Sequence, residues 1–359
     1  MSRPFVVLLA ALVLAVPASG SAQSTSDEAK ERAREAQEQA RERAQERAER
    51  AREQAEERAE RAREQAEERA ERARDREEEM RERSKSGALD TTVVFDAKGT
   101  LNVGCAGGDV VVTGTPRNEI KVHAQTERGA IRFTSNGTTA TLEPVYNRSC
   151  EDAHFEVSVP MGTHVVANTW SGSLTVQHVV GEIEGHAQSG DITVHDAGDR
   201  VEVETLSGDV IVQGAKGDAS IHTLSGDVQL DGAHGNVEIE TVSGDIELKD
   251  VISRHVRTNS TSGDLSYAGT IENGGRYEFT THSGELRLRL PANVGAQLSL
   301  STFSGEIDSD FPITLKAGEH GIGSAQAKRL EFSLGQGTAR IIAETFSGDV
   351  TLTSVGRRP

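Results

Sequence analysis

The dipeptide Ser-Gly, usually followed by Asp, returns at a fixed interval along this chain, and that interval restricts the folds open to it. Copies begin at Ser171, Ser189, Ser207, Ser225 and Ser243, each 18 residues after the last. Later copies begin at Ser262, Ser283, Ser304 and Ser347, with spacings of 19, 21, 21 and 43. Apolar positions keep their register within each copy. Three residues after the Ser stand Leu174, Ile192, Val210, Val228 and Ile246, and two further on stand Val176, Val194, Val212, Leu230 and Leu248. A second run supplies Ile183, Val201, Ala219 and Val237, followed by Gly185, Val203, Ile221 and Ile239. Each copy reads as two short alternating strands separated by turns.

Eighteen residues are too few for a strand–helix–strand unit, and a propeller blade needs about 40. They suffice for one coil of a solenoid, whose strands pair in parallel with those of the neighbouring coils at about 4.8 Å. The expected fold class is all-β: a single-stack parallel β-solenoid of about 18–21-residue coils over 87–359. Residues 161–359 carry the Ser-Gly-Asp repeats, and 87–160 are less regular. Inward ladders of Val, Ile and Leu would form the core, with Thr205, Thr223 and Thr241 as a hydroxyl ladder. Composition agrees, since 35% apolar and 4% aromatic residues with 36 Gly suit thin stacked layers better than one bulky core.

A different pattern precedes the repeats. From Asp27 to Lys85 the chain is almost entirely Ala, Glu, Arg and Gln, all strong helix formers. The 11 residues from Ala51 to Arg61 recur unchanged at 62–72. Glu46/Arg50, Glu57/Arg61 and Glu68/Arg72 stand one helical turn apart in the favourable order. Residues 23–86 are therefore expected to form a long charged α-helix ahead of the solenoid. It reads either as a solvated spacer or as a weak coiled coil through Ala40, Ala44 and Ala48 and their 11-residue repeats. The second reading would make the protein an oligomer through 27–85.

Residues 1–22 read as a secretory signal peptide: Arg3, an apolar run from Phe5 to Val16, then small residues before Gln23. That run is too short to cross a bilayer, so the expectation is an exported protein without a membrane span, periplasmic or at the cell surface. Export makes a disulfide between Cys105 and Cys150 chemically permitted. Residues 86–359 hold 20 basic and 36 acidic side chains, a balance of −16 within a chain of net charge −18. Such a surface repels nucleic acid and anionic lipid. Cations, cationic peptides and neutral glycans remain as partners.

Thr-x-Ser-Gly-Asp repeats, with Val157-Ser158-Val159-Pro160 leading into Trp170-Ser171-Gly172, carry a family resemblance. So do Leu288-Arg289-Leu290-Pro291 leading into Phe303-Ser304-Gly305-Glu306, and Gly335-Gln336-Gly337-Thr338-Ala339 before Thr345-Phe346-Ser347-Gly348-Asp349. Over about 88–359 the chain resembles a bacterial family of β-strand-repeat domains of unknown function that carries an adhesin label. The resemblance implies a solenoid at the cell envelope and brings no catalytic residues; the charged segment is not part of it.

Two outward ladders hold groups able to bind metal. Asp191, Asp209, Asp227, Asp245 and Asp264, continued by Glu285 and Glu306, would stack along one edge, where calcium is the natural counter-ion. The competing reading is turn chemistry, in which Gly takes the positive φ and Ser and Asp bond to nearby backbone. His186, Glu204, His222 and Glu240 alternate in a second ladder, suited either to zinc or copper or to plain cross-strand pairing. No cofactor is otherwise expected. No GxSxG, HExxH or Walker-type loop occurs, so no catalytic site is expected. The sequence thus leads to a non-enzymatic exported envelope or surface-binding protein whose partner is an envelope glycan or protein. The second reading is an envelope structural or stress-response component that binds cationic peptides or a protein partner.

Overall fold

The computed structural model describes residues 87–126, 130–145, 153–312 and 328–355, together with helical positions scattered between 46 and 72. The chain divides into two units, Met1–Glu77 and Glu78–Pro359. The signal peptide read at 1–22 and Cys150 of the disulfide pair lie outside the described residues.

In the first unit the long helix expected over 23–86 is corrected to short pieces. The longest unbroken helical run among the described residues is seven residues, 63–69, and the rest of 23–86 is described only in fragments or lies outside them. Every described residue of this unit is exposed. Arg50, Arg61 and Arg72 reach back one turn to Glu46, Glu57 and Glu68 at 2.5, 2.7 and 2.6 Å. Each such pair adds only about 0.2–0.5 kcal/mol, and among the described residues of this unit no apolar side chain is buried to supplement them.

The second unit is built on one sheet, to which 23 described strands belong. Two parallel columns run through its regular part. Leu174–Gln177, Ile192–His195, Val210–Gln213 and Val228–Asp231 pair residue for residue at 18-residue offsets. Ile183–Ser189, Val201–Ser207, Ala219–Ser225 and Val237–Ser243 form the longer column in the same way. The alternation noted in the sequence sets the faces: Val201, Val203 and Thr205 are buried, while Glu204 and Leu206 are exposed.

Each rung turns a corner at Ser-Gly, and the corner has room for nothing larger. Gly190, Gly208, Gly226 and Gly244 have φ between 140 and 149°, a region L-residues avoid. A Cβ on Gly226 would also stand 2.0 Å from the carbonyl oxygen of Gly208 on the adjacent rung.

Both ends depart from the all-parallel stack in chain order, and that fold class is overturned. Ala339–Ser347 lies between Leu265–Ser283 and Ala296–Ser304 and pairs in parallel with both. Val350–Val355 fits likewise between Leu286–Pro291 and Ile307–Ser309. The long interval from Ser304 to Ser347 is an excursion, after which the last copy enters a slot between two earlier ones. Thr100–Thr115 is similarly flanked by Thr139–Pro144 and Ala153–Pro160 on one side and by His164–Ser171 and Leu174–Gln177 on the other. Antiparallel strands add to the mixture: Gly87–Val94 against Glu119–Thr126, Glu119–Thr126 against Ala153–Pro160, Ile131–Ser135 against Thr139–Pro144, and Ala296–Ser304 against Lys328–Leu334. The physical reason is that a parallel ladder ends in unpaired backbone groups, which further strands must cover. The repeat interval identifies equivalent residues, not neighbouring copies.

Where the rungs lengthen, the core widens and larger side chains fill it. Tyr267 packs on Tyr277 and Phe279 with ring centroids 6.1 and 5.0 Å apart. The Tyr277 hydroxyl donates to the Ser253 carbonyl at 2.5 Å and accepts from the Glu272 N–H at 2.8 Å. Burial raises the pKa of both phenols.

Two substitutions test this arrangement. Val212→Asp places an unpaired carboxylate where the native side chain is fully buried, and we expect a loss of about 3 kcal/mol or more, read as a collapsed or abolished thermal transition. Gly226→Ala, which changes no charge, should cost at least about 2 kcal/mol. A melt like the wild type for either variant contradicts the register.

Candidate functional site

Successive rungs bring equivalent outward side chains into columns, so any site on this body is a set of columns rather than a pocket. Three are relevant.

The Asp column runs through the corner. Asp191 Oδ1 accepts the backbone N–H of Asp209 at 2.9 Å, and Asp209 Oδ1 that of Asp227 at 2.9 Å. Asp227 and Asp245 repeat the bond to Asp245 and Asp264 at 2.8 Å each, and Asp264 passes it to Glu285 at 2.9 Å. The Glu306 N–H donates the equivalent bond to Asp349 Oδ1 at 2.8 Å, because Asp349 is its neighbour in the ladder. One oxygen of each of these carboxylates is thus engaged by the adjacent backbone. Arg287 adds a side-chain contact to Asp264 at 3.2 Å and also bonds Glu285. The Glu285 carboxylate raises the pKa of that guanidinium.

The His/Glu column lies along the longer strands of successive rungs. Glu204 is the ladder partner of both His186 and His222, and His222 of Glu240. The contacts fall into pairs: His186 Nδ1 to Glu204 Oε2 at 3.2 Å, and His222 Nδ1 to Glu240 Oε2 at 3.5 Å. The Asn259 amide donates to Glu240 at 3.2 Å.

The third column was not singled out from the sequence. Six of the exposed large apolar residues occupy the x position of the Thr-x-Ser-Gly motif or its equivalent: Trp170, Leu206, Leu224, Val242, Phe303 and Phe346. Leu206 and Leu224 are 52% and 51% exposed and Trp170 62%. Thr205 and Ser207 pair with Thr223 and Ser225, which sets Leu206 beside Leu224, and the next rung adds Val242. Further along, the slotted last copy puts Phe346 between His282 and Phe303. Their rings stack in parallel, 4.8 and 4.7 Å between centroids. The signal was present in the sequence, since the residue between Thr and Ser-Gly is Leu206, Leu224, Val242, Phe303 and Phe346 where strand alternation demands an outward side chain.

Between the His/Glu and apolar columns runs an open groove of about 550 Å³, walled by His186, Glu204, His222 and Glu240 on one side and by Leu206, Leu224 and Val242 on the other. A second groove, of about 470 Å³, continues along the aromatic end past His282, Phe303 and Phe346. An apolar ridge beside acceptors and donors can dock a partner surface by burying area on one side and bonding on the other.

A family model described as Toastrack DUF4097 matches residues 106–353. No curated protein matches the chain. Several solved structures resemble it, among them two at low overall superposition. A candidate cell adhesion protein from Clostridium sporogenes shares 11% identity with a TM-score of 0.21, covering 75% of this chain and all of its own. A candidate adhesin from Bacteroides fragilis shares 10% identity with a TM-score of 0.32, covering 74% of this chain and 96% of its own.

The Asp column yields a direct test of what its carboxylates do. Asp227→Asn keeps an oxygen to accept the Asp245 N–H and removes one of a row of like charges, so stability should change by less than about 0.5 kcal/mol. Asp227→Ala removes the acceptor and should cost about 1–2 kcal/mol. Equal melts for the two variants would mean that the backbone bond contributes nothing.

Proposed function

The chain belongs to the toastrack DUF4097 family, and from that premise we propose that it is an exported, surface-recognising envelope module that docks its partner along the apolar column. Toastrack domains of this family are non-catalytic. Among the described residues, no helix is long and apolar enough to cross a membrane.

The observation that carries the proposal is the column itself. Leucine, valine and phenylalanine side chains gathered on one line and about half exposed forgo roughly half of a full burial worth about 1.5–3 kcal/mol each, a loss that docking of a partner would reverse. The stacked rings of His282, Phe346 and Phe303 turn their faces toward one another. Their edges are left for contact, which suits a protein surface better than the flat face of a sugar. The excess of acidic residues over 86–359 favours a basic partner surface and supports the alternative, an envelope component that binds cationic peptides. In this reading 1–22 directs export, and 23–86 projects the module or joins copies of it, raising avidity.

Co-sedimentation of the full chain with envelope fractions of its own host tests the proposal. Binding by the wild type and at least tenfold weaker binding by a Leu206→Asp/Leu224→Asp variant is the expected result. Both positions are half exposed, so the variant should melt like the wild type. Undiminished binding by a folded double variant would remove the groove from the function.

A further inference from the structure

On a different line of outward positions, away from the groove, one rung carries two acidic side chains side by side. On two other rungs the corresponding positions carry opposite charges that bond to each other, Arg200 to Glu202 at 2.6 Å and Arg276 to Glu278. At the rung of Ile183–Ser189 both positions are acidic, Glu182 and Glu184. Facing them from the neighbouring rung is His164, whose following residues Val165 and Val166 pair with Ile183 and Glu184. His164 Nε2 lies 3.1 Å from Glu184 Oε1. One ligand atom from each of His164, Glu182 and Glu184 lies within 4.8 Å of the other two, the only such group of three His, Cys, Asp or Glu side chains among the described residues. All three are half-buried.

We propose that His164, Glu182 and Glu184 form a binding site for a divalent transition-metal ion of the zinc type. Like charges side by side repel each other, and a cation between them turns that repulsion into attraction. The nearest basic group on the following rung, Arg200, stands 4.0 Å from Glu182 and is already bonded to Glu202 at 2.6 Å. One imidazole nitrogen with two carboxylate oxygens is a donor set that suits zinc, whereas calcium and magnesium favour oxygen alone. Atoms bound tetrahedrally to one zinc ion at about 2.0–2.2 Å lie about 3.3–3.6 Å apart, so side-chain movements of about 1 Å close the site. Its backbone is already fixed: the His164 N–H donates to the Gly99 carbonyl at 2.9 Å and the Val165 N–H to the Glu182 carbonyl at 2.9 Å. Three protein ligands leave the remaining coordination to water or to a group on a partner. The site is separate from both the Asp column and the His/Glu column.

Calorimetric titration of the chelator-treated full chain with zinc chloride tests the assignment. The wild type should bind zinc, His164→Ala and Glu184→Gln should each weaken that binding at least tenfold, and His186→Ala should leave it unchanged. Arg200→Gln removes the competing cation and should tighten binding severalfold. Millimolar calcium should not displace the metal. Thermal melts in chelator establish that each variant is folded, and Arg200→Gln decides the matter if either ligand variant is not. Absence of binding, equal affinity in the folded ligand variants, equal loss with His186→Ala, no gain with Arg200→Gln, or displacement by calcium would each overturn the proposal.

Discussion

The structure depends on the Ser-Gly-Asp corner. There the backbone of one rung passes so close to the next that a Cβ on Gly208, Gly226, Gly244 or Gly263 would stand 2.0–2.2 Å from a carbonyl oxygen. The Asp that follows fastens its carboxylate to the N–H one rung on. Together these fix the offset between rungs at one repeat. Because side chains alternate along a strand, a slip of one residue would turn every Val, Ile and Leu outward. The corner therefore determines where the core lies as well as where the chain bends.

From that fixed offset the surface columns follow. Glu204 meets His186, Leu206 meets Leu224, and Phe346 meets Phe303 for one reason: residues at one position of the repeat become neighbours in space. A weak preference at one position is multiplied by the number of rungs, so an apolar residue at x becomes a ridge and a carboxylate becomes a line of charge. The same logic makes an exception informative. Glu182 and Glu184 put two like charges side by side on one rung, and His164 faces them.

Much of this was legible from residues. The register of Val203, Ile221 and Ile239, the inward Thr205 and the contact of His222 with Glu240 all follow from the 18-residue interval and the two-residue period of a strand. The order of rungs at the ends was not legible. Ser283, Ser304 and Ser347 look like consecutive copies, whereas in the ladder Ser347 stands between the other two. Equivalence is local information, while adjacency depends on how the intervening chain travels. The core cluster of Tyr267, Tyr277 and Phe279 escaped for a related reason: all three lie on Leu265–Ser283, and Tyr267 meets the other two only because the longer rung folds back around more volume. The metal group was hidden because His164 precedes the first regular copy, outside the repeat pattern that drew notice to other histidines.

The slot occupied by residues 339–355 has a consequence in time. A polypeptide emerges from its N-terminus, so the rung at 296–309 exists before the segment that will separate it from the rung at 265–291. Until that last segment arrives, the two earlier rungs have no native partner on their facing edges. The finished ladder is therefore not a record of the order of synthesis. It is closed retrospectively, by a segment made after both of the rungs it joins.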